Sequence, residues 1–146
     1  MQVRKMCADD YCRVYDLWEN TPGMGLNSVD DTREGIEKYL QRNPNTCFVA
    51  EKNNEIIGAV LSGHDGRRGL IYHLAVKISE REQGVGNTLL DSAVEALKKE
   101  GIAKVYITIY KNNATGNAFW EKRGFIIPSE TSYRAKEIAV MEHISV

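Results

Sequence analysis

Residues 71–90 begin Ile71-Tyr72-His73-Leu74-Ala75-Val76 and, after a polar link, continue Arg81-Glu82-Gln83-Gly84-Val85-Gly86-Asn87-Thr88-Leu89-Leu90. An apolar run of strand length feeds an Arg-x-x-Gly-x-Gly turn, and the turn feeds an amphipathic helix. The first turn of a helix carries backbone N–H groups without intrahelical partners, and the helix dipole favours negative charge there. Gly84 and Gly86 have no Cβ to obstruct an approaching anion, and Arg81 can add a bidentate charged contact. The stretch therefore points to a ligand that carries a diphosphate.

Two familiar diphosphate motifs do not fit. A Walker A loop needs Gly-Lys-Ser/Thr, whereas Gly86 is followed by Asn87 and Thr88. A dinucleotide-binding turn needs a third glycine where Leu89 stands, and the link from Lys77 to Gln83 is too long for a tight strand-to-helix turn.

Further along, after a helix over 84–100 and a strand over 103–109, the chain reads Asn113-Ala114-Thr115-Gly116-Asn117-Ala118-Phe119-Trp120-Glu121-Lys122-Arg123-Gly124-Phe125. Together with Leu74-Ala75-Val76 and the glycine turn, this segment resembles the GNAT superfamily of acyl-CoA N-acyltransferases, in particular its small bacterial members. The family's corresponding segment is Asn-x-x-Ala-x-x-Leu-Tyr-x-x-x-Gly-Phe. Asn113, Phe119, Gly124 and Phe125 fit it. Gly116 and Trp120 stand where alanine and tyrosine are usual, and Ile78 where proline is common.

The resemblance implies a single α/β domain over 1–146, a mixed and mostly antiparallel central sheet flanked by about four helices. Its fourth and fifth strands, here 69–77 and 103–109, are expected to splay apart just after Val76. Acetyl-CoA is implied as co-substrate, with no metal. The residues implied to hold it are Leu74, Val76, Arg81, Gln83, Gly84, Val85, Gly86, Asn87, Thr88, Asn113, Phe119 and Trp120. The free edge of strand 69–77 would pair with the pantetheine amides through the backbone of Leu74 and Val76, a form of β-augmentation. The N–H of Val76 or Lys77 would polarise the thioester carbonyl. An amine then attacks directly and coenzyme A leaves as a thiolate.

Composition sets bounds around this reading. A chain of 146 residues with 42% apolar content can bury a core without staples. A formal net charge of −1 leaves no electrostatic footprint for nucleic acid or an anionic membrane. No apolar run approaches a membrane span, and Met1-Gln2-Val3-Arg4 does not begin a signal peptide. Cys7, Cys12 and Cys47 make neither a metal-spaced pair nor an even disulfide set, which suits a reducing cytoplasm. The expected partners are acetyl-CoA and an amine-bearing acceptor, with a second copy of the chain as a further candidate.

The remaining elements follow from periodicity. Val3–Met6 reads as a strand, and Asp9 can cap a helix carrying Val14, Leu17 and Trp18. Ser28 or Asp30 opens a second helix with Ile36, Tyr39 and Leu40 on one face, ending before Pro44. Strands 47–50 and 56–61 are joined through Glu51–Glu55, and Tyr133–Ser145 reads as a last hairpin strand.

The catalytic groups are less marked. Trp120 occupies the place of the family's tyrosine that protonates the departing sulfur, and an indole N–H does not transfer a proton at neutral pH. Either the enzyme works without a general acid or the domain binds acyl-CoA without chemistry. Tyr110, at the end of strand 103–109, could also reach inward. Candidates for general base are Tyr72 and His73, which simple alternation sends to opposite faces, and Glu51. The acceptor pocket is implied in Asn20–Val29 and Ser129–Tyr133, with Trp18, Met24, Glu130 and Tyr133 as lining candidates. An unrelated nucleotide-phosphate binder of α/β type is the third class consistent with the turn alone.

Overall fold

The computed structural model describes residues 1–144. In chain order the elements are β1 (Gln2–Lys5), α1 (Tyr11–Glu19), β2 (Leu26–Asn27), α2 (Arg33–Arg42), β3 (Phe48–Lys52), β4 (Glu55–His64), β5 (Gly69–Val76), α3 (Val85–Lys99), β6 (Val105–Ile107), α4 (Ala114–Lys122) and β7 (His143–Ile144). The main sheet runs β1-β3-β4-β5-β6 and is antiparallel except for the parallel pair β5–β6. A mixed, mostly antiparallel sheet with four α-helices is the architecture expected from the sequence.

Helices cover both faces of the sheet, because its central strand is apolar on both. In β4, Ile56, Ala59 and Leu61 pack with Val14, Leu17 and Trp18 of α1 and with Ile36 and Leu40 of α2. Ile57 and Val60 of the same strand pack with Val85, Leu89, Leu90 and Ala93 of α3. A strand buried on both faces reads as a continuous apolar run, which is what Ile56–Leu61 shows. Trp18 is fully buried, so truncating it would cost about 3–5 kcal/mol.

Several local departures from the expected boundaries have clear causes. Asn53 and Asn54 both take positive φ (51° and 63°), so two residues suffice to turn β3 into β4 and both strands lengthen. The first helix is entered through a 3₁₀ turn, Ala8–Asp10, and Asp10, not Asp9, reaches back to accept the Cys7 N–H at 2.9 Å. The second helix opens at Thr32, whose Oγ1 accepts the Gly35 N–H at 3.0 Å. Ser28 and Asp30 do not open it, because Asn27 Oδ1 takes the Val29 and Asp30 N–H groups and folds that segment into a turn.

The C-terminal expectation fails in large part. Among the described residues of this stretch only His143–Ile144 is extended, and it pairs with Leu26–Asn27, not with the main sheet. The rest of 133–142 is irregular and Ser145 lies outside the described residues. β7 therefore ties down the loop between α1 and α2, helped by the Ser28 N–H donated to Glu142 O at 2.9 Å. Among the described residues no helix is long and apolar enough to cross a membrane.

Candidate active site

The site begins where two strands part. β5 and β6 pair at Gly69–Val105, Leu70–Tyr106 and Ile71–Ile107, and no further. β6 ends there, whereas β5 continues to Val76. The separation thus starts after Ile71, five residues earlier than the expected position after Val76. It opens a cleft of about 1250 Å³ walled by β5, the start of α3, α4 and the loop between α1 and α2.

Hydrogen bonding on the far side of β5 decides what its free edge offers. The Lys77 N–H is donated to Ile57 O at 2.8 Å, in register with the pairs Gly58–Val76 and Ala59–Ala75. In an antiparallel ladder, residues alternate between facing the partner and facing away. Lys77 and Ala75 face β4, so the amide of Val76 points away from β4 into the cleft, which Leu74 also lines. Of the two amides proposed to meet a thioester carbonyl, that of Lys77 is already used.

The polar link after β5 folds back to the same place. Arg81 Nε donates to Val76 O at 3.2 Å, which sets the arginine beside the end of the free edge. Glu82 and Gly84 take positive φ (63° and 83°) and swing the chain into α3 with its first amides unobstructed. A Cβ at Gly84 would meet nothing within 4 Å, so glycine is required there by conformation and not by crowding. These groups fit an anionic ligand: free helix amides, one guanidinium and an open approach.

α4 closes the opposite wall. Asn113 Oδ1 caps it by accepting the Gly116 N–H at 2.9 Å. Glycine replaces the usual alanine at 116 because a Cβ would stand 2.7 Å from Ile109 Cδ1. Phe119 faces Gly86, with Arg123 stacked on its ring at 3.7 Å and also donating to Asn87 Oδ1. Trp120 lines the cleft and packs edge-on against Phe119 and Phe125, at ring-centre distances of 5.3 and 4.8 Å.

A β-bulge reshapes the middle of β5. Leu61 pairs with Tyr72 and Ala59 with Ala75, so His73 and Leu74 together stand opposite Val60. His73 takes φ 50°, a conformation that costs a residue with a Cβ on the order of 1–3 kcal/mol. The bulge cancels the alternation expected from the sequence, and Tyr72 and His73 both line the cleft. Burial, with smaller contributions from Asp30 and Tyr133, raises the Tyr72 phenol above its usual range, so it is a hydrogen-bond donor near neutral pH and not a base. His73 Nε2 lies 2.7 Å from Asp31 Oδ1. Asp31 carries no sequence signal, because an acid in Asn-Ser-Val-Asp-Asp reads as a solvated turn.

The cleft lining includes Tyr72, His73, Leu74, Val76, Arg81, Gly84, Val85, Gly86, Asn87, Asn113, Phe119 and Trp120, and leaves out Gln83 and Thr88. Met24 and Tyr110 also line it, the Tyr110 ring lying over Gly25. Trp18 is sealed in the core, and Glu130 and Tyr133 do not reach the lining. Glu51 is committed elsewhere, to Arg4 at 3.4 Å and Arg13 at 2.9 Å. Among the described residues no group of three His, Cys, Asp or Glu is placed to hold a metal.

Residues 11–125, which contain the bulged strand, the glycine turn and α4, match the Acetyltransferase (GNAT) family. The chain belongs to the GNAT family. This GNAT protein is 33% identical to an acetyltransferase of Pectobacterium atrosepticum over 122 residues, 84% of this chain and 85% of that one. It is 30% identical to an acetyltransferase of Sodalis glossinidius over the same length, with 84% of each chain covered. In fold it is similar to the PaiA N-acetyltransferase of Thermoplasma acidophilum, solved in complex with coenzyme A, with TM-score 0.76, 19% identity and 87% and 90% of the two chains covered. It is also similar to the ribosomal-protein-S18-alanine N-acetyltransferase of Escherichia coli, with TM-score 0.69, 17% identity and 84% and 76% covered.

Proposed function

We propose that this GNAT acetyltransferase moves an acetyl group from acetyl-CoA to a primary amine by direct attack in a ternary complex. One observation carries the reading. The unpaired edge of β5, Tyr72–Val76, leads straight to the Arg81 and Gly84–Gly86 cradle. Such an edge suits a ligand with peptide-like groups at one end and a diphosphate at the other.

The order of these features orients the ligand. With the diphosphate at Arg81 and the start of α3, the pantetheine arm runs back along β5 past Val76 and Leu74. The outward amide of Val76 is a donor available to hold it and to polarise the thioester carbonyl. The thioester end then lies towards the bulge, next to His73 and the loop between α1 and α2. The acceptor amine enters from that loop, between Met24, Tyr72 and Tyr110. As the N–C bond forms the C–S bond breaks, and its electron pair leaves on sulfur. Thiols are far more acidic than alcohols (pKa about 8.5 for a free cysteine), so a thiolate is a tolerable leaving group and Trp120 need not supply a proton. A low-pKa acceptor such as an α-amine costs only about 1 kcal/mol to deprotonate at pH 7, against roughly 4–5 for a lysine side chain, and is the favoured class.

The second reading, an acyl-CoA-binding module without chemistry, is favoured by Trp120 alone. Thiol release by the unmodified protein across α-amines, polyamines, aminoglycosides and lysine peptides separates the two. Release dependent on one amine class supports transfer, and acetyl-CoA binding without release from any class supports the module.

A further inference from the structure

We infer that Asp31 and His73 form a dyad in which His73 Nδ1 accepts the proton of the attacking amine and Asp31 holds the imidazole in the tautomer that leaves Nδ1 bare. The inference rests on the acetyl-transfer reading and assigns its general base, with Asp31 as a positioning residue.

The geometry is built from both sides. Asp31 is 3% exposed, and each of its neighbours fixes a different atom. Its Oδ2 accepts the Asn27 N–H at 2.8 Å and its backbone oxygen accepts the Tyr11 hydroxyl at 2.7 Å. Oδ1 is left for His73 Nε2. A carboxylate has no proton to give, so Nε2 carries the hydrogen and donates it. The neutral ring then has its lone pair on Nδ1. That atom has no hydrogen-bond partner among the described residues and is not sealed from solvent, and the residue lines the cleft. Trp18 lies edge-on to the imidazole at 4.9 Å and fixes its plane.

Backbone strain is the second, independent observation. A β-bulge with positive φ at a histidine is an expensive way to continue a strand. Its effect is to turn the ring off the alternating pattern towards Asp31, on the stretch of β5 where the thioester end of the ligand is oriented.

The chemistry balances without a further reagent. As the amine nitrogen bonds to the thioester carbon it becomes acidic, and its proton moves to Nδ1. The C–S electron pair leaves on sulfur, and the imidazolium, stabilised by Asp31, returns its proton to solvent. The groups around the ring that titrate are Asp31, from the loop before α2, and Tyr72, from its own strand at 6.5 Å between ring centres. Tyr11 and Tyr15 of α1 lie farther out, against Asp31 and Trp18 respectively.

The test is steady-state transfer against pH with saturating acetyl-CoA, alongside calorimetry of acetyl-CoA binding. We expect His73→Gln to lower kcat by about 100-fold or more, the low end for a general base, and to flatten the acidic limb of the profile, with acetyl-CoA affinity unchanged. Asp31→Asn should keep that limb but move it to lower pH, and Asp31→Glu should partly restore it. Wild-type transfer together with a His73→Gln profile like the wild type's overturns the dyad and leaves the transfer reading intact. No transfer by the wild type from any amine overturns both. Should Asp31→Asn fail to fold, nitrogen NMR of the wild-type imidazole decides: a proton on Nε2 is required, and a proton on Nδ1 overturns the assignment.

Discussion

Gly86 lies under the ring of Phe119, so close that a Cβ at 86 would stand 3.3 Å from Phe119 Cε1 and 3.6 Å from Val76 Cγ2. Three segments far apart in sequence meet at this point: the end of β5, the first turn of α3 and the middle of α4. A side chain there would both press on the aromatic wall and cover the helix amides. Gly86→Val is therefore expected to weaken acetyl-CoA binding at least about tenfold, or roughly 1.4 kcal/mol, measured by calorimetry. Arg81→Ala should weaken it less, because an exposed charge is screened. Unchanged affinity in Gly86→Val would remove the cradle from the account.

Trp120 tests the leaving group. Tyrosine at 120 keeps an aromatic edge against Phe119 and Phe125 while adding a hydroxyl that can give up a proton. A positioned general acid is worth about 10²–10⁴-fold where protonation limits the rate. We expect Trp120→Tyr to retain the wild-type melting temperature within a few degrees and to raise turnover below pH 7. Equal rates for both proteins over the whole pH range would mean that sulfur departs unaided in either.

The cysteines predict the chemical route. None of Cys7, Cys12 and Cys47 lines the cleft. Burial pushes the Cys47 thiol up to about 11, although its hydrogen bond with the Ser62 backbone acts the other way. Cys47 should resist alkylation at pH 8 until the protein unfolds, whereas exposed Cys7 and Cys12 react at once. Mass spectrometry during turnover should find no acetyl-cysteine. An acetylated cysteine that passes its group to the amine would overturn direct attack.

Asp10 predicts the acid limit of the fold. Burial alone would raise its carboxyl, yet Arg4 at 2.8 Å, together with the Cys7 amide, holds it down to about 2. A depressed carboxylate stabilises the fold fully above its unfolded value near 4, and that contribution is lost as pH falls towards 2. Asp10→Asn should cost on the order of 3 kcal/mol at pH 7, since it leaves Arg4 and Arg13 facing a neutral group. Its melting temperature should fall less than the wild type's between pH 4 and pH 2. Parallel curves would place the acid sensitivity elsewhere.

What could be read in advance divides along physical lines. The order of strands and helices and the glycine turn at Gly84–Gly86 follow from periodicity and turn chemistry, which are local, whereas the part of 113–125 in the site is implied only by the family resemblance. The bulge at His73 was hidden, because Ile71–Val76 gives no glycine or proline to mark a break in alternation. Asp31 was hidden for the opposite reason: its role depends on a partner 42 residues away. Glu51 is a candidate base by its place on the strand, but Arg4 from β1 and Arg13 from α1 pair with it across long sequence separations. The last strand is shorter than expected because pairing with β2, a tertiary contact, holds His143–Ile144 extended while 133–142 stays irregular.

The claim on which the rest depends is that the open edge of β5 and the turn at Gly84–Gly86 together form an acyl-CoA site. Calorimetric titration of the wild-type protein with acetyl-CoA, ATP and NAD at one salt concentration tests it most directly. Saturable 1:1 binding of acetyl-CoA is expected, at least about tenfold tighter than either nucleotide and weakened by Gly86→Val. ATP or NAD binding as tightly as acetyl-CoA, or no acetyl-CoA binding at all, would contradict it.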